Sequence, residues 1–330
     1  MVAVTASIPV DVQSPGQVLA CMGFLEAAEV LLGGVEGHFD WQGVPPVFVL
    51  AADGESNAFE AVLDFLARAR VVEVTPLRYI EGGTADGDDE GDEAVASVDS
   101  DDPHSEASAE AQADVDSTPE RITFPAFPSG EGDRYALPAQ LVGSDGLRLM
   151  LSHWADGSSR DPFKLYSGNR SASRIATQLL HGVRAKRKRR QYVGDFGVLG
   201  ISQLWQEQRA ALLRSPFDVV TPMRGSFNFD PRGTWTAIDA GYSPNTQRDG
   251  VAASPLVEML AAIGLEHARP DKHEASTLRY AIWGHPLPPM LARAALAGAN
   301  LSVPMRRFAF GLNLSGTNRV TTFAREEAQR

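Results

Sequence analysis

The residues with the clearest chemical meaning are bases gathered in one stretch of the chain. Within residues 160–190 ten side chains are Lys or Arg, and Asp161 is the one acid. The ten bases are Arg160, Lys164, Arg170, Arg174, Arg184, Lys186, Arg187, Lys188, Arg189 and Arg190. Adjacent cations repel one another unless an anion screens them, so this density favours phosphate binding over a solvated loop without a specific partner. Phe163, Tyr166 and Tyr192 flank the bases and are predicted to offer stacking surfaces for nucleobases.

A second candidate segment, residues 217–245, is dense in Gly, Pro, Asn, Asp and aromatic residues, which is typical of turns. In it Arg224, Arg232 and Asn245 are candidates for contacts with phosphates or base edges. Asp230 and Asp239 would orient these arginines. The alternative is that Asp and Asn cap turns while the arginines pair locally, and the sequence favours neither.

Signals for catalysis are weak. The sequence has no phosphate-cradling Gly-Lys-Ser/Thr loop, no Gly-x-Ser-x-Gly elbow, no His-Glu-x-x-His motif and no Rossmann glycine fingerprint after a strand. Four potential metal ligands lie close in sequence, at a spacing that matches no standard zinc site: His267, His273, Glu274 and His285. We therefore predict a non-enzymatic protein without a cofactor. The alternative is a metal-dependent nuclease, or another nucleic-acid enzyme, that uses Asp230 and Asp239.

The acids are as segregated as the bases. Residues 81–120 hold fifteen acids and no Lys or Arg, which leaves 27 acids against 30 bases elsewhere, although the formal charge of the whole chain is −12. The stretch lacks aromatic residues and is predicted to be disordered, because it cannot bury enough surface to offset its ordering entropy. It is either a tolerated insertion in a surface loop or an acidic mimic that competes for the basic stretch.

Composition places the chain among globular proteins, with 330 residues and 43% apolar content. The single cysteine, Cys21, excludes an intramolecular disulfide and a cysteine-based zinc cluster, and its apolar neighbours predict a buried structural thiol. We expect neither a membrane span nor a signal peptide, and hence a cytoplasmic protein.

The first element that must position these residues is a helix. Ser14 caps its start, and two glycines at residues 33–34 end it. Val18, Cys21 and Leu25 belong to a stripe that would face a core. With extended segments at 7–10, 37–41, 47–51 and 71–77 and a helix at 53–70, the order is β-α-β-β-α-β. That order is the pattern of a ferredoxin-like unit, which often serves as an RNA platform.

After the insert we predict strands at 121–127 and 147–154, and a helix over 171–188 with Arg170, Arg174, His181, Arg184 and Lys188 on one stripe. Ser254 and Pro255 open a helix that Gly264 closes, a helix spans 288–297, and a hairpin joins strands 305–314 and 319–324. The fold class is α+β, with mixed sheets and short helices. We divide the chain into an N-terminal α/β unit (1–81), the insert (82–120) and an α+β domain (121–330).

Residues 306–310, with the sequence RRFAF, match part of the RNP1 motif of RNA-binding sheets. The match lacks the glycine after the first base and the later aromatic residue. A core strand with alternating side chains explains the pattern equally well.

Several segments outside the insert carry a resemblance to a known family. They are DVQSPGQVLACMGFLEAAE at 11–29, EGHF at 36–39, FDPR at 229–232, DAGYSP at 239–244, RYAIW at 279–283 and PLPP at 286–289. Together they resemble a family from CRISPR type I-U loci, now called I-G, which is regarded as a large-subunit-like component of the Cascade effector complex. None of these segments is a catalytic signature, so no functional residue carries over from the family.

The resemblance implies a role near one end of the crRNA. It implies that the protein helps to recognise the protospacer-adjacent motif in duplex target DNA and offers a docking surface to the helicase-nuclease. Base pairing would read the sequence, while the protein would read a short motif and hold the backbone. Large subunits commonly end in a helical bundle, whereas mixed strands and short helices are predicted here, so a separate subunit would supply that bundle.

Overall fold

The structure is a computed structural model that describes residues 3–76, 120–124, 138–154, 163–166, 171–186, 192–223, 225–233, 252–272, 277–315 and 318–328. Its α-helices are α1 (Pro15–Leu32), α2 (Ala58–Arg68), α3 (Ala172–His181), α4 (Ile201–Arg214), α5 (Pro255–His267) and α6 (Pro289–Leu296). The strands before the turn-rich segment are β1 (Ala3–Pro9), β2 (Val35–Asp40), β3 (Val47–Asp53), β4 (Arg70–Pro76), β5 (Glu120–Phe124), β6 (Ala139–Val142), β7 (Arg148–Leu151), β8 (Val183–Lys186) and β9 (Tyr192–Val198). The remaining strands are β10 (Thr221–Pro222), β11 (Ala252–Ala253), β12 (Asp271–Lys272), β13 (Thr277–Trp283), β14 (Met305–Ser315), β15 (Asn318–Thr321) and β16 (Arg325–Glu326). The predicted α+β class is confirmed.

The N-terminal order β1-α1-β2-β3-α2-β4 is also the predicted one, but its strands do not form a single sheet. β1, β3 and β2 make an antiparallel sheet in that order, as the first three strands of a ferredoxin-like unit do. β4 instead pairs in parallel with β5 and antiparallel with β6, which pairs with β7. Because strands from beyond the insert occupy both edges of β4, it cannot complete the first sheet.

Helix α1 begins where its sequence predicts, and it is buried more completely than the sequence predicts. The Ser14 side chain accepts a hydrogen bond from the Gln17 amide, while the Gln17 side chain accepts one from the Asp11 amide at 2.8 Å, so the predicted capping box forms only in part. Fourteen consecutive residues of α1, from Pro15 to Ala28, are buried. The prediction of one core-facing stripe is therefore wrong, because α1 packs against α2, α5 and the first sheet together.

Two glycines set the contact between α1 and α5. A Cβ on Gly23 would lie 2.0 Å from the Leu260 carbonyl oxygen, and one on Gly264 would lie 2.3 Å from the Leu19 carbonyl oxygen. Gly264 therefore lies inside α5, where the backbone of α1 approaches, and does not close the helix as predicted. Since α1 and α5 come from opposite sides of the insert, the units 1–81 and 121–330 share one hydrophobic core.

The last part of the chain forms a sheet in the order β12-β13-β14-β15, with β16 also paired to β14. The predicted hairpin corresponds to β14 and β15. β14 alternates its faces, with Phe308 and Phe310 buried against Tyr280 and the intervening residues on the other face.

Helix α1 has the length and composition of a membrane span, which the sequence analysis did not expect. Its 18 residues have a mean hydropathy of 1.3, and 78% of them are buried inside the fold. A core helix passes the same test, and among the described residues no other helix does. The finding is weak support for a span.

Candidate nucleic-acid interface

The predicted basic helix ends earlier than the sequence suggested. α3 stops at His181, and Gly182 follows with φ of 69°, a left-handed conformation that favours glycine. The Val198 carbonyl would lie 2.5 Å from any Cβ at Gly182, so a side chain there would also collide with β9. The prediction of a helix over 171–188 is thus wrong: residues 183–186 leave α3 and form β8.

This break divides the predicted basic stripe between two elements. Arg174 is exposed on α3, whose opposite face buries Ile175 and Leu179. His181 does not join the stripe, because it is half-buried and its Nδ1 lies 3.2 Å from the Ser202 hydroxyl. Burial lowers the pKa of His181, so this ring is neutral at pH 7 and adds no charge.

Two further bases, Arg184 and Lys186, belong to the β8–β9 hairpin. Val183 pairs with Val198, Arg184 with Phe196 and Lys186 with Tyr192, with two irregularities in the register. Arg184 is exposed, and Lys186 is placed by its backbone position in β8. Further predicted bases lie outside the described residues: Arg160, Arg170, Arg187, Lys188, Arg189 and Arg190. Lys186 and Tyr192 are register partners, and the sequence that connects them contains four bases.

Two of the three aromatic residues near this stretch, Phe163 and Tyr166, have a structural role. Phe163 and Tyr166 are 2% and 4% exposed, and Tyr166 packs against Trp154 and Phe227. The prediction that both rings stack on bases is therefore wrong, since their faces are covered by the core. Lys164 lies between them in sequence, half-buried, with its Nζ 5.6 Å from the centroid of the Tyr166 ring.

In the turn-rich segment, Asp230 holds Arg232. The Asp230 carboxylate is fully buried and accepts hydrogen bonds from Arg232 Nε and Nη2, at 2.9 and 2.7 Å. It also accepts one from the amide of Ser254, the residue that caps α5. Arg232 Nη2 donates to the Phe217 carbonyl as well. This is the geometry of the alternative interpretation, in which the arginine pairs locally; Arg224, Asp239 and Asn245 lie outside the described residues.

A second buried acid, Glu258, supports the same turn from α5. Its Oε1 accepts hydrogen bonds from the amides of Phe229 and Asp230, at 3.1 and 2.8 Å. Burial, together with the nearby Asp230 charge, raises the pKa of Glu258 to about 7. Glu258 was not among the predicted site residues, although a lone acid in the apolar run PLVEMLAAIGL is a recognisable signal for a buried polar contact.

A buried histidine lies in the aromatic cluster beside this turn. His153 is 2% exposed, and its ring centroid is 4.6 Å from that of Trp154 and 5.4 Å from that of Phe229. Burial and the nearby Arg269 charge lower the pKa of His153 to about 3. The ring is therefore neutral at pH 7 and packs as an aromatic group.

The described residues give little support to a metal centre. Across these ranges no three His, Cys, Asp or Glu side chains are grouped so that they could hold a metal ion. The carboxylate oxygens of Asp230 are engaged by Arg232 and the Ser254 amide, while His273 and Glu274 lie outside the described residues. Cys21 is buried, and burial raises the pKa of its thiol, as expected of a structural cysteine.

The RNP1-like segment is the central strand β14. Phe308 and Phe310 are 0% and 3% exposed, and Phe308 stacks on Tyr280 with the ring centroids 5.5 Å apart. The aromatic side chains that RNA-binding sheets expose are therefore buried here, and the core-strand interpretation holds.

Comparison with known proteins gives no further assignment: no protein-family model, no curated protein and no solved structure matches this chain. Its function is therefore argued from its own residues.

Proposed function

We propose that this chain is a non-catalytic nucleic-acid-binding subunit of a CRISPR type I surveillance complex of the Cascade kind. In that role it helps to hold crRNA and target DNA, contributes to reading the protospacer-adjacent motif, and recruits the helicase-nuclease. Its partners are the crRNA, the target DNA, the other Cascade subunits and the helicase-nuclease, in the cytoplasm. The family assignment rests on the sequence segments that resemble the type I-G family.

The single observation that carries nucleic-acid binding is the concentration of ten bases and one acid within residues 160–190. The described members of this stretch support a surface role, because Arg174 is exposed on α3 and Arg184 on β8. An exposed array of cations binds a polyanion chiefly by releasing the counterions condensed on it. Such contacts position a protein on a backbone without reading its sequence.

Elsewhere, exposed arginines face nearby carboxylates. Arg68 forms an ion pair with Asp64, and Arg209 with Glu60 while it also lies over the Trp205 ring. Residues 160–190 contain one acid for ten bases, so carboxylates within the stretch cannot neutralise it. This excess of positive charge along the sequence is why we assign phosphate binding to this stretch.

The test is to replace Lys186, Arg187, Lys188, Arg189 and Arg190 together with Gln. We expect weaker binding to DNA of any sequence, because each lost phosphate contact lowers the slope of log affinity against log salt by about 0.7–0.9. The measurement is fluorescence anisotropy with labelled duplex and single-stranded DNA at several salt concentrations. Assembly with crRNA is followed in parallel by size-exclusion chromatography.

The matched control is the double variant R68Q/R209Q, which removes two exposed arginines that are ion-paired on α2 and α4. It should leave the salt slope unchanged. If the variant with all five bases replaced binds DNA and assembles with crRNA as well as the parent at every salt concentration, the basic stretch is a solvated loop and the proposal fails.

A further inference from the structure

A cleft of about 220 Å³ lies on the last sheet. Two arginines, Arg279 and Arg307, line it together with two acids, Asp271 and Glu327. The end of α6, at residues 297–298, forms another wall. This group cannot be recognised in the sequence, because its members come from five separate segments of the chain.

The strand register brings the two arginines onto one face of the sheet. Arg279 on β13 is opposite Ala309 on β14, and Ala281 is opposite Arg307, so the two arginines are diagonal neighbours. Diagonal neighbours in an antiparallel pair lie about 7–8 Å apart, within reach of a shared ligand for long side chains. Both guanidinium groups can therefore contact a single small anion in the cleft.

In the structure, the carboxylate of Glu327 is paired with Arg279, next to the position that such an anion would take. Arg279 Nε donates to Glu327 Oε1 at 2.6 Å, and both side chains are partly exposed, at 34% and 27%. Within the described part of the chain, the Arg307 side chain makes one long hydrogen bond, 3.3 Å from its Nη2 to the Gly298 carbonyl. The Glu327 amide donates to the Arg307 carbonyl, so the backbone is anchored while the side chain can rotate away from Arg279.

The balance of charge in the cleft depends on the position of the Glu327 side chain. With Glu327 in place, the two arginines are balanced by two acids. When its side chain turns out to solvent, Asp271, the register partner of Arg279, is the one acid left among the residues that line the cleft. An ion pair between partly exposed side chains is weak, so a phosphate that accepts from two guanidinium groups can displace it.

We propose that this cleft binds a phosphate group and that the Glu327 carboxylate is the competitor that closes it. The phosphate, inorganic or part of a nucleic-acid backbone, lies between Arg279 and Arg307 in the place that Glu327 leaves. This inference stands whether or not residues 186–190 bind nucleic acid.

The neighbouring acid provides a matched control. Glu326 forms a two-point ion pair with Arg306, with hydrogen bonds of 2.7 and 2.6 Å. Glu326 is the register partner of Phe308, so this pair lies on the face of β14 opposite the cleft. Glu327→Gln and Glu326→Gln therefore remove the same charge from adjacent residues, and only the first opens the cleft.

The experiment is calorimetric titration of the full chain with inorganic phosphate at constant ionic strength, for the parent, E327Q, E326Q and R307Q. We expect E327Q to bind phosphate about two- to fivefold more tightly than the parent, the range by which an exposed ion pair competes. E326Q should match the parent, and R307Q should bind at least about tenfold more weakly because a charged donor is lost. A dinucleotide with one phosphodiester is the second probe: the same order of affinities would identify a nucleic-acid backbone as a source, and a response to inorganic phosphate alone would identify the free ion.

Unchanged thermal unfolding of each variant shows that it is folded. If E326Q tightens binding as much as E327Q, general electrostatics explains the effect and the proposal is overturned. It is equally overturned if folded R307Q binds both probes as the parent does, or if neither probe binds to E327Q.

Discussion

Arg232 and Arg174 are both predicted phosphate contacts, but their surroundings in the fold differ. Arg232 lies two residues after a fully buried aspartate, and its guanidinium is fixed by that carboxylate and a backbone carbonyl. Arg174 is exposed on the outer face of α3, in a stretch almost without acids. The comparison shows that a buried acid nearby holds Arg232 in the fold, whereas Arg174 stays exposed, as the proposed phosphate contact requires.

The largest effect is expected where the buried pair is broken. Asp230→Asn leaves the Arg232 charge without its partner and weakens the contact with the Ser254 amide at the start of α5. Because Arg232 is 29% exposed and can move toward water, we expect a loss of about 3 kcal/mol, the lower end for breaking a buried pair. Urea unfolding measures this loss.

The control for this prediction is Asp64→Asn, which removes the partner of Arg68 on α2. Arg68 is 66% exposed, so the loss should be about 0.5 kcal/mol or less. Equal losses in the two variants would show that burial does not separate structural arginines from available ones.

An effect of similar size that depends on pH is expected at Glu258, which supports the same turn. Its pKa in the folded chain is raised to about 7 from an ordinary value of 4.5, so the fold favours the protonated form. The stability that Glu258 contributes is therefore complete below about pH 4.5 and is lost as the pH rises to about 7, a change of about 3 kcal/mol. Gln cannot ionise and keeps an oxygen that accepts from the Phe229 and Asp230 amides.

We therefore expect Glu258→Gln to be more stable than the parent at pH 8, by on the order of 2–3 kcal/mol, and similar to it at pH 4.5. Urea unfolding at the two pH values provides the measurement. Glu26→Gln is the contrasting control: Glu26 is also buried but accepts two hydrogen bonds from Arg293, so its loss should destabilise the fold at both pH values. An advantage of E258Q that does not depend on pH would contradict the assignment.

The sequence predicted best what is decided by neighbours along the chain. Ser14 and Pro15 set the start of α1 by local hydrogen bonding and backbone geometry, and the structure places it there. The pairing of Asp230 with Arg232 was also within reach, because the two residues are close in sequence. What was missed depends on contacts between distant segments.

Gly264 illustrates this limit. As a glycine near the end of an apolar run it resembles a helix terminator, and only the close approach of the α1 backbone explains its place inside α5. Phe163 and Tyr166 resemble exposed stacking groups beside bases, yet Trp154 and Phe227 complete an aromatic cluster around Tyr166. The cleft between Arg279 and Arg307 likewise exists only through the register of β13 and β14.

The smallest effect on stability, and the most direct test of the comparison, is expected from Arg174→Gln combined with Arg184→Gln. Both arginines are exposed, so the free energy of unfolding should change by no more than about 0.5 kcal/mol. If both neutralise phosphates, the slope of log affinity against log salt should fall by about 0.9 for each contact with duplex DNA, or about 1.8 together. Sequence preference should persist, because phosphate contacts do not read bases.

Arg232→Gln should show the reverse, with a clear loss of stability in urea and little change in the salt slope. If the double variant keeps both its stability and its salt slope, exposure on α3 and β8 does not mark nucleic-acid contacts, and the distinction between buried-pair and exposed arginines fails on its exposed side.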